Sequence, residues 1–345
     1  MKRFFVALTF LVSLTACSPV EETQTLKVFN WGVYIDESLI AEFEAENNCT
    51  VIYEEFDSNE SMYTKLLSGE SYDVLYPSDY MVQRLIEEGL LQALNKTTTA
   101  GLDEFLPNVI GRDYDLENVY SVPYFWGNVG LIYDTTVVDE KDITTEGWNV
   151  LQDTKYAGNI YFYDSERDAF MVALKALGYS TNTTEDVHLE EAYTWLSSLN
   201  KNMKPVYVTD DVIDNMIASN KAIAVVYSGD AAYILDENEN MAYYAPTEGT
   251  NIWIDSMVIP TDAPNPELAN KWIQFMMSAD SMRANTLEVG YTTVRYDVYE
   301  EMLDSDFSGN SAYEVRMDYA LDEVFVYDKA VKLKTSDLWV KVKAQ

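Results

Sequence analysis

The stretch LKVFNWGVYIDESLIAEFEAENNCTVIYEE, residues 26–55, reads as strand, helix, strand. Leu26–Trp31 is short, apolar and aromatic, Glu37–Glu46 carries its apolar residues at helical spacing, and Thr50–Glu55 returns to strand-forming residues. The pattern continues with a helix over Met62–Leu67, with Asn59 or Ser61 near its cap, a strand over Asp73–Tyr76 closed by Pro77, and a helix over Tyr80–Glu87. Alternation of this kind specifies an α/β protein with a largely parallel sheet and helices on its faces.

A second alternating block lies downstream. Ile160–Tyr163, Val206–Val208 and Ala222–Tyr227 read as strands, and Arg167–Leu177 and Leu189–Leu199 as helices. The chain then returns through the strand-like run Ile252–Ile259, closed by Pro260, to the strongly helical Pro266–Met277. Some 320 residues beyond the N-terminal segment exceed one ordinary core, so two lobes are expected. Residues 26–132 with 258–300 would form the first lobe, and 133–257 with 301–345 the second. No long linker separates them, so strand crossovers would make a hinge with a cleft between the lobes.

The N-terminus sets the compartment. Lys2 and Arg3 precede the apolar run Phe4–Leu14, which ends in Leu14-Thr15-Ala16-Cys17. That is the form of a bacterial lipoprotein signal, too short to persist as a spanning helix of about 20 residues. The expectation is a signal peptide over 1–16, acylation of Cys17 and a polar tether over 17–25, leaving an extracytoplasmic body held to the cell membrane by its lipid. Cys49 has no partner within that body, which removes disulfides and cysteine-rich metal sites. His188, the one histidine, lies in an acidic helical stretch and reads as a solvated face residue, so histidine-based catalysis and zinc chemistry have little to work with.

A net charge of −35 repels nucleic acid and acidic membrane surfaces and attracts cations. The 26 tyrosines and 7 tryptophans exceed what a core requires, so some should line a cleft. In open α/β sheets ligands meet the loops at the carboxyl ends of strands. Those positions hold Trp31, Ser78-Asp79-Tyr80, Asp164–Asp168 and Tyr227-Ser228-Gly229-Asp230. Trp253 and Asp255 share one face of the returning strand, and Tyr291 follows Gly290. Aromatic faces and carboxylates suit a linear amine: the rings cover methylenes and attract ammonium groups, and the carboxylates give charge-assisted hydrogen bonds. Asp168 could instead pair with Arg167 or Lys175 across its helix, and Asp230 could belong to a helix cap. Two other readings use the same residue types: a glycosidase with two carboxylates beside sugar platforms, and a receptor for another cation, such as a quaternary amine or ferric iron. Tyr243-Tyr244, the adjacent tyrosine pair nearest to an iron site, lies on an expected strand that points the two rings to opposite faces.

Six segments, in order along the body, resemble the substrate-binding components of spermidine and putrescine importers, the PotD-like proteins. They are Phe29–Tyr34, Phe56–Tyr63, Pro77–Tyr80, Val122–Gly127, Trp253–Pro260 and Val289–Tyr291. The resemblance implies a two-lobed periplasmic-binding-protein-like fold of type II with mixed sheets and an interlobe cleft. It also implies permease and ATPase subunits of an ABC importer as partners, no cofactor or metal, and a monomer without enzymatic activity. Trp31, Tyr80, Tyr227, Trp253 and Tyr291 would form an aromatic box, Ser78 would add a hydroxyl, and Asp255 would grip an ammonium. Tyr34, Asp79, Asp168 and Asp230 complete the implied ligand set, Asp230 matching an aspartate of the putrescine-preferring branch. The chain departs from many relatives at Val33 and Ser165, where they carry acidic residues, and at Val340 or Lys341, near the place of a ligand-binding glutamine. Asp79 or Asp164 is the expected compensation.

Substitution of the signal's terminal residue tests the anchor. Cys17→Ala should release the protein to the medium or leave it unprocessed, with no labelled fatty acid incorporated; unaltered acylation and membrane attachment would refute the reading.

Overall fold

The computed structural model describes residues 23–209 and 211–345. The expected signal peptide and Cys17 lie outside the described residues. The expected tether is shorter than its assigned range, because β1 (Gln24–Trp31) already pairs from Gln24 with Cys49 of β2 (Cys49–Phe56).

The first alternating block folds as β1, α1 (Ser38–Asn47), β2, α2 (Asn59–Leu67), β3 (Val74–Leu75) and α3 (Asp79–Glu87). Then comes β4 (Ser121–Asp134), followed by α4 (Glu140–Glu146), β5 (Ile160–Tyr163), α5 (Glu166–Ala176), α6 (Asp186–Met203), β6 (Val206–Val208) and α7 (Val212–Ile217). The chain continues through β7 (Ile223–Tyr227), α8 (Ser228–Glu237), β8 (Met241–Tyr244) and β9 (Asn251–Val258). It ends with α9 (Pro266–Met276), α10 (Ala279–Val289), β10 (Thr292–Thr293), α11 (Tyr296–Asp304), β11 (Glu323–Val324) and α12 (Lys329–Lys343). Each strand and helix expected from the sequence is present, with its ends moved by a few residues.

The element that sequence reading did not find organises the rest. All fourteen residues of β4 are buried although the strand contains Pro123, Gly127 and Gly130, residues that weaken strands by propensity. It runs through the middle of the sheet order β2-β1-β3-β9-β4-β7-β5-β6. Its first half, from Ser121 to Asn128, pairs antiparallel with β9; from Val129 onward it pairs antiparallel with β7 and β8. The flanking strands are parallel, β1 with β2 and β3 on one side and β5 with β6 and β7 on the other. The result is the mixed sheet arrangement expected. The whole of β9 lies beside β3 and the first half of β4, so the chain has rejoined the first sheet by Asn251, ahead of residue 258 where the return was expected.

Two glycines of β4 are set by what lies over them. A Cβ on Gly127 would stand 2.3 Å from Ser228 Oγ and 2.4 Å from Trp253 Cζ2, and one on Gly130 would stand 2.4 Å from the Tyr243 ring. Trp126, Trp148 and Trp272 fill the core with no exposed surface, and the free Cys49 is buried in the same core. His188 is half-buried: it stacks on Tyr179 at 3.8 Å and its Nδ1 lies 2.8 Å from Thr183 Oγ1.

Because Gly127 has no space for a side chain, Gly127→Ala should destabilise the protein by about 1–3 kcal/mol through overpacking. Chemical denaturation should show a lower midpoint with an unchanged slope; a variant as stable as the parent would mean that Trp253 is free to move.

Candidate functional site

The carboxyl ends of six strands converge on one cavity of about 590 Å³. Trp31 and Phe56 terminate β1 and β2, Ser78 follows β3, Tyr163 and Tyr227 terminate β5 and β7, and Thr209 follows β6. Trp253 and Asp255 enter from β9, and Tyr291 from the residue before β10. Strand twist and the crossover rule bring these ends together, as the placement of ligands in such sheets requires.

Of the residues expected from the sequence, Trp31, Tyr34, Ser78, Tyr80, Tyr227, Trp253, Asp255 and Tyr291 all line the cavity. Asp79, Asp168 and Asp230 do not; they lie behind its wall. Asp168 Oδ2 accepts a 2.7 Å hydrogen bond from the Tyr227 hydroxyl, and Asp230 Oδ1 a 2.6 Å bond from the Tyr291 hydroxyl. Asp79, with no exposed surface, accepts bonds from the backbone N–H groups of Tyr80 at 2.6 Å and Ile254 at 3.1 Å. These three aspartates hold the rings and strand that face the cavity instead of lining it themselves. The alternative pairing of Asp168 is half met: Arg167 Nε lies 3.8 Å from it, whereas Lys175 turns to Glu323.

Two further cavity tyrosines are fixed in this way. The Tyr34 hydroxyl donates to Asp255 Oδ2 at 2.8 Å, and Tyr80 donates to Glu60 Oε1 at 3.2 Å. Trp253 and Tyr291 lie 5.4 Å apart at 51°, Tyr34 meets Tyr291 edge-on at 5.2 Å, and Tyr163 meets Tyr227 edge-on at 4.7 Å. The indoles are anchored through their N–H groups, Trp31 to Tyr76 O at 2.9 Å and Trp253 to Asn128 O at 3.2 Å. Gly229 makes room for this wall, since a Cβ there would stand 1.6 Å from the Tyr291 ring. The faces of Trp31, Tyr34, Tyr80, Tyr227, Trp253 and Tyr291 therefore meet the cavity with their polar edges already satisfied.

Four helices begin at the cavity, and each carries a carboxylate in its first turn: Glu60 on α2, Asp79 on α3, Glu166 and Asp168 on α5, Asp230 on α8. The positive end of a helix favours an anion there. Asp255 lacks that support, being on a strand. Burial pushes its carboxyl up to about 6, against hydrogen bonds from Ser78 and Tyr34 and the field of Arg167. Burial likewise pushes Asp79 up to about 7, against Arg167 and its two backbone bonds. Among the described residues no basic side chain lies within 4 Å of Asp255, so its charge faces the cavity without a cation of the protein's own. Arg167 is held 4.6 Å over the Tyr80 ring and 4.4 Å over Phe325, and 3.8 Å from Asp79.

Sequence reasoning missed the contribution of the C-terminal helix. Lys332, Trp339 and Lys343, spaced to share one face of α12, line the cavity, while Val340 and Lys341 point to solvent. The residues at 340 and 341 therefore do not stand in for the ligand-binding glutamine; helical phase turns them away. Glu60 and Tyr163 were also missed, although Tyr163 ends an expected strand and Glu60 falls within one of the six segments, and Glu166, inside the strand-end stretch Asp164–Asp168, was given no role of its own. Tyr243 donates to Asn128 Oδ1 at 2.7 Å and, like Tyr244, is absent from the lining, so the tyrosine pair builds no iron site at this cavity.

Residues 38–314 match the family model of the bacterial extracellular solute-binding proteins. The chain is 30% identical over 293 residues to the spermidine/putrescine-binding periplasmic protein of Escherichia coli strain K12, covering 84% of this chain and 83% of that one. The structure superposes on the spermidine/putrescine ABC transporter substrate-binding protein PotD of Streptococcus pneumoniae with a TM-score of 0.80 and 36% identity, over 93% of this chain and 99% of that one. A putative spermidine/putrescine ABC transporter from Listeria monocytogenes gives a TM-score of 0.84 at 34% identity over the same shares.

The raised Asp255 carboxyl generates a pH prediction. An acid whose pKa is raised by folding stabilises the fold while protonated, and that contribution is lost as pH rises through about 6. Asp255→Asn, neutral throughout, should exceed the parent in unliganded stability at pH 8 by about 1–3 kcal/mol, the gap closing as pH falls toward 4. Urea denaturation across this range measures it; a variant less stable than the parent at pH 8 would show that Asp255 supports the fold in its charged form.

Proposed function

Because the chain belongs to the bacterial extracellular solute-binding protein family and has the two-lobed type II periplasmic-binding fold, we propose that it captures a polyamine such as putrescine or spermidine and passes it to an ABC importer. The observation that carries this reading is Asp255: a buried carboxyl with no basic side chain within 4 Å among the described residues, set among the faces of Trp31, Tyr34, Trp253 and Tyr291. An ammonium bound there would satisfy the charge, and the rings would cover the adjoining methylenes. Ser78, whose Oγ takes a 3.0 Å bond from Asn59 Nδ2, keeps one hydroxyl edge at the same point.

The lobes in this reading divide where β4 changes partners, between Asn128 and Val129, and again between β8 and β9. Closure about those crossings would bring Tyr227 and Tyr163 of one sheet toward Trp31 and Asp255 of the other. The protein works as a monomeric receptor outside the cell, tethered through acylated Cys17, with permease and ATPase subunits as its partners.

Calorimetric titration with putrescine, spermidine, spermine and choline tests the reading, with sugars and amino acids as controls. Amines should bind and sugars should not, and an amine at 100 times its dissociation constant should add about 2.7 kcal/mol of stability. Asp255→Asn should weaken binding by about 2–5 kcal/mol, and Trp253→Leu by about 1–3 kcal/mol. Affinity for the amines should also fall as pH drops below about 6, where Asp255 takes up a proton. No binding of any amine would end the polyamine reading, and unchanged affinity in Asp255→Asn would remove that residue from the site.

A further inference from the structure

The carboxylates around the cavity are of two kinds. Asp255 receives hydroxyl hydrogen bonds alone, whereas Glu60 and Glu166 share an ammonium group that the protein itself supplies. Lys332 Nζ lies 3.0 Å from Glu60 Oε1 and 3.1 Å from Glu166 Oε2. Glu60 opens α2 and Glu166 opens α5, so the lysine joins the helices of the two sheets from the face of α12 that lines the cavity. Glu166 is held for this role by Thr335 Oγ1, which donates at 2.6 Å, and Ser336 Oγ, which donates at 2.7 Å. Glu60 is held by the Tyr80 hydroxyl, the ring of which also forms cavity wall.

A lysine side chain ends as an aliphatic amine does, in methylenes and an ammonium with three N–H donors. Two carboxylates about 3 Å from one such nitrogen, on helix first turns that favour their ionised form, are a finished ammonium subsite. We propose that Glu60 and Glu166 are a second ammonium subsite of the cavity, which Lys332 occupies in cis, so that the chain's own side chain limits the length and charge of the amine it accepts. An amine short enough to be gripped at Asp255 leaves Lys332 in place. A longer one with another ammonium must displace it, and the lysine, whose side chain is 30% exposed, can swing to solvent. The effect on amine choice rests on the polyamine reading above; the subsite itself rests on the ion-pair geometry.

The experiment separates the two. Asp255→Asn and Asp255→Asn/Lys332→Ala are melted in propylammonium chloride and in sodium chloride at equal ionic strength. The Asp255→Asn change removes the first amine grip, so any propylammonium effect reports Glu60 and Glu166. The expected result is a rise of Tm in propylammonium for the double variant and none for the single one. A double variant that propylammonium stabilises no more than sodium overturns the proposal. Should alanine at 332 prevent folding, Lys332→Ser leaves the same space and is melted in its place. In the parent background, Lys332→Ala should raise the ratio of spermidine to putrescine affinity by about tenfold, the worth of one charge-assisted contact; an unchanged ratio removes Lys332 as the selector. If the parent binds no amine, the polyamine reading fails while the propylammonium melts still decide the subsite.

Discussion

A carboxylate taken out of water beside other carboxylates must be kept ionised by something, and the site is arranged around that requirement. Five of the acids around the cavity lie in the first turns of four helices, where the unsatisfied N–H groups and the helix dipole favour negative charge. Helix N-termini at the carboxyl ends of strands ordinarily suit anionic ligands. Here the first turns carry the anions themselves, and the polarity of the site is inverted. Four of the tyrosines that wall the cavity donate to acids, three of them helix-opening and one on a strand: Tyr227 to Asp168, Tyr291 to Asp230, Tyr80 to Glu60 and Tyr34 to Asp255. One set of hydrogen bonds thus satisfies buried charge and fixes the aromatic faces.

That arrangement also sorts the acids by role. Asp79 accepts from two backbone N–H groups, Asp168 from Tyr227 and Asn251, and Asp230 from Tyr291, and none of the three lines the cavity. Asp255, on β9 and in no helix's first turn, lines the cavity with no basic side chain within 4 Å among the described residues. Arg167 balances part of this group. The neighbouring carboxylates, Asp168 foremost, outweigh its burial and hold its pKa above the ordinary value, so it stays a cation wedged between the Tyr80 and Phe325 rings.

The geometry of the cavity depends on a strand shared by two sheets. Because β4 leaves β9 at Asn128 and takes up β7 and β8 from Val129, the two groups of parallel strands aim their carboxyl ends at the same space. Gly127, at that crossing, lets Trp253 lie flat against the strand and brings its face to the cavity. The C-terminal helix then returns across the opening. It carries five lysines in a chain of net charge −35, and two of them, Lys332 and Lys343, meet cavity carboxylates. A strongly acidic protein thereby places two of its own cations against carboxylates of the cavity.

The sequence by itself determined the α/β class, the two alternating blocks, and most of the aromatic residues of the cavity wall. Those features depend on local periodicity and on the rule that residues just after strands meet the ligand, and Trp31, Ser78, Tyr80 and Tyr227 are legible from strand ends alone. Trp253 and Asp255 follow from strand alternation. The tertiary structure alone decided that Asp255 lines the cavity while Asp168 lies behind the Tyr227 ring, because the two differ in what the fold packs against them and not in their neighbours along the chain. It alone decided that β4 is a strand, since burial on both faces overrode the propensities of Pro123, Gly127 and Gly130. And it alone brought Lys332 to Glu60, across 272 positions, and to Glu166: an ion pair between elements so distant leaves no periodic trace in the sequence, and only the packing of α12 across the opening creates it.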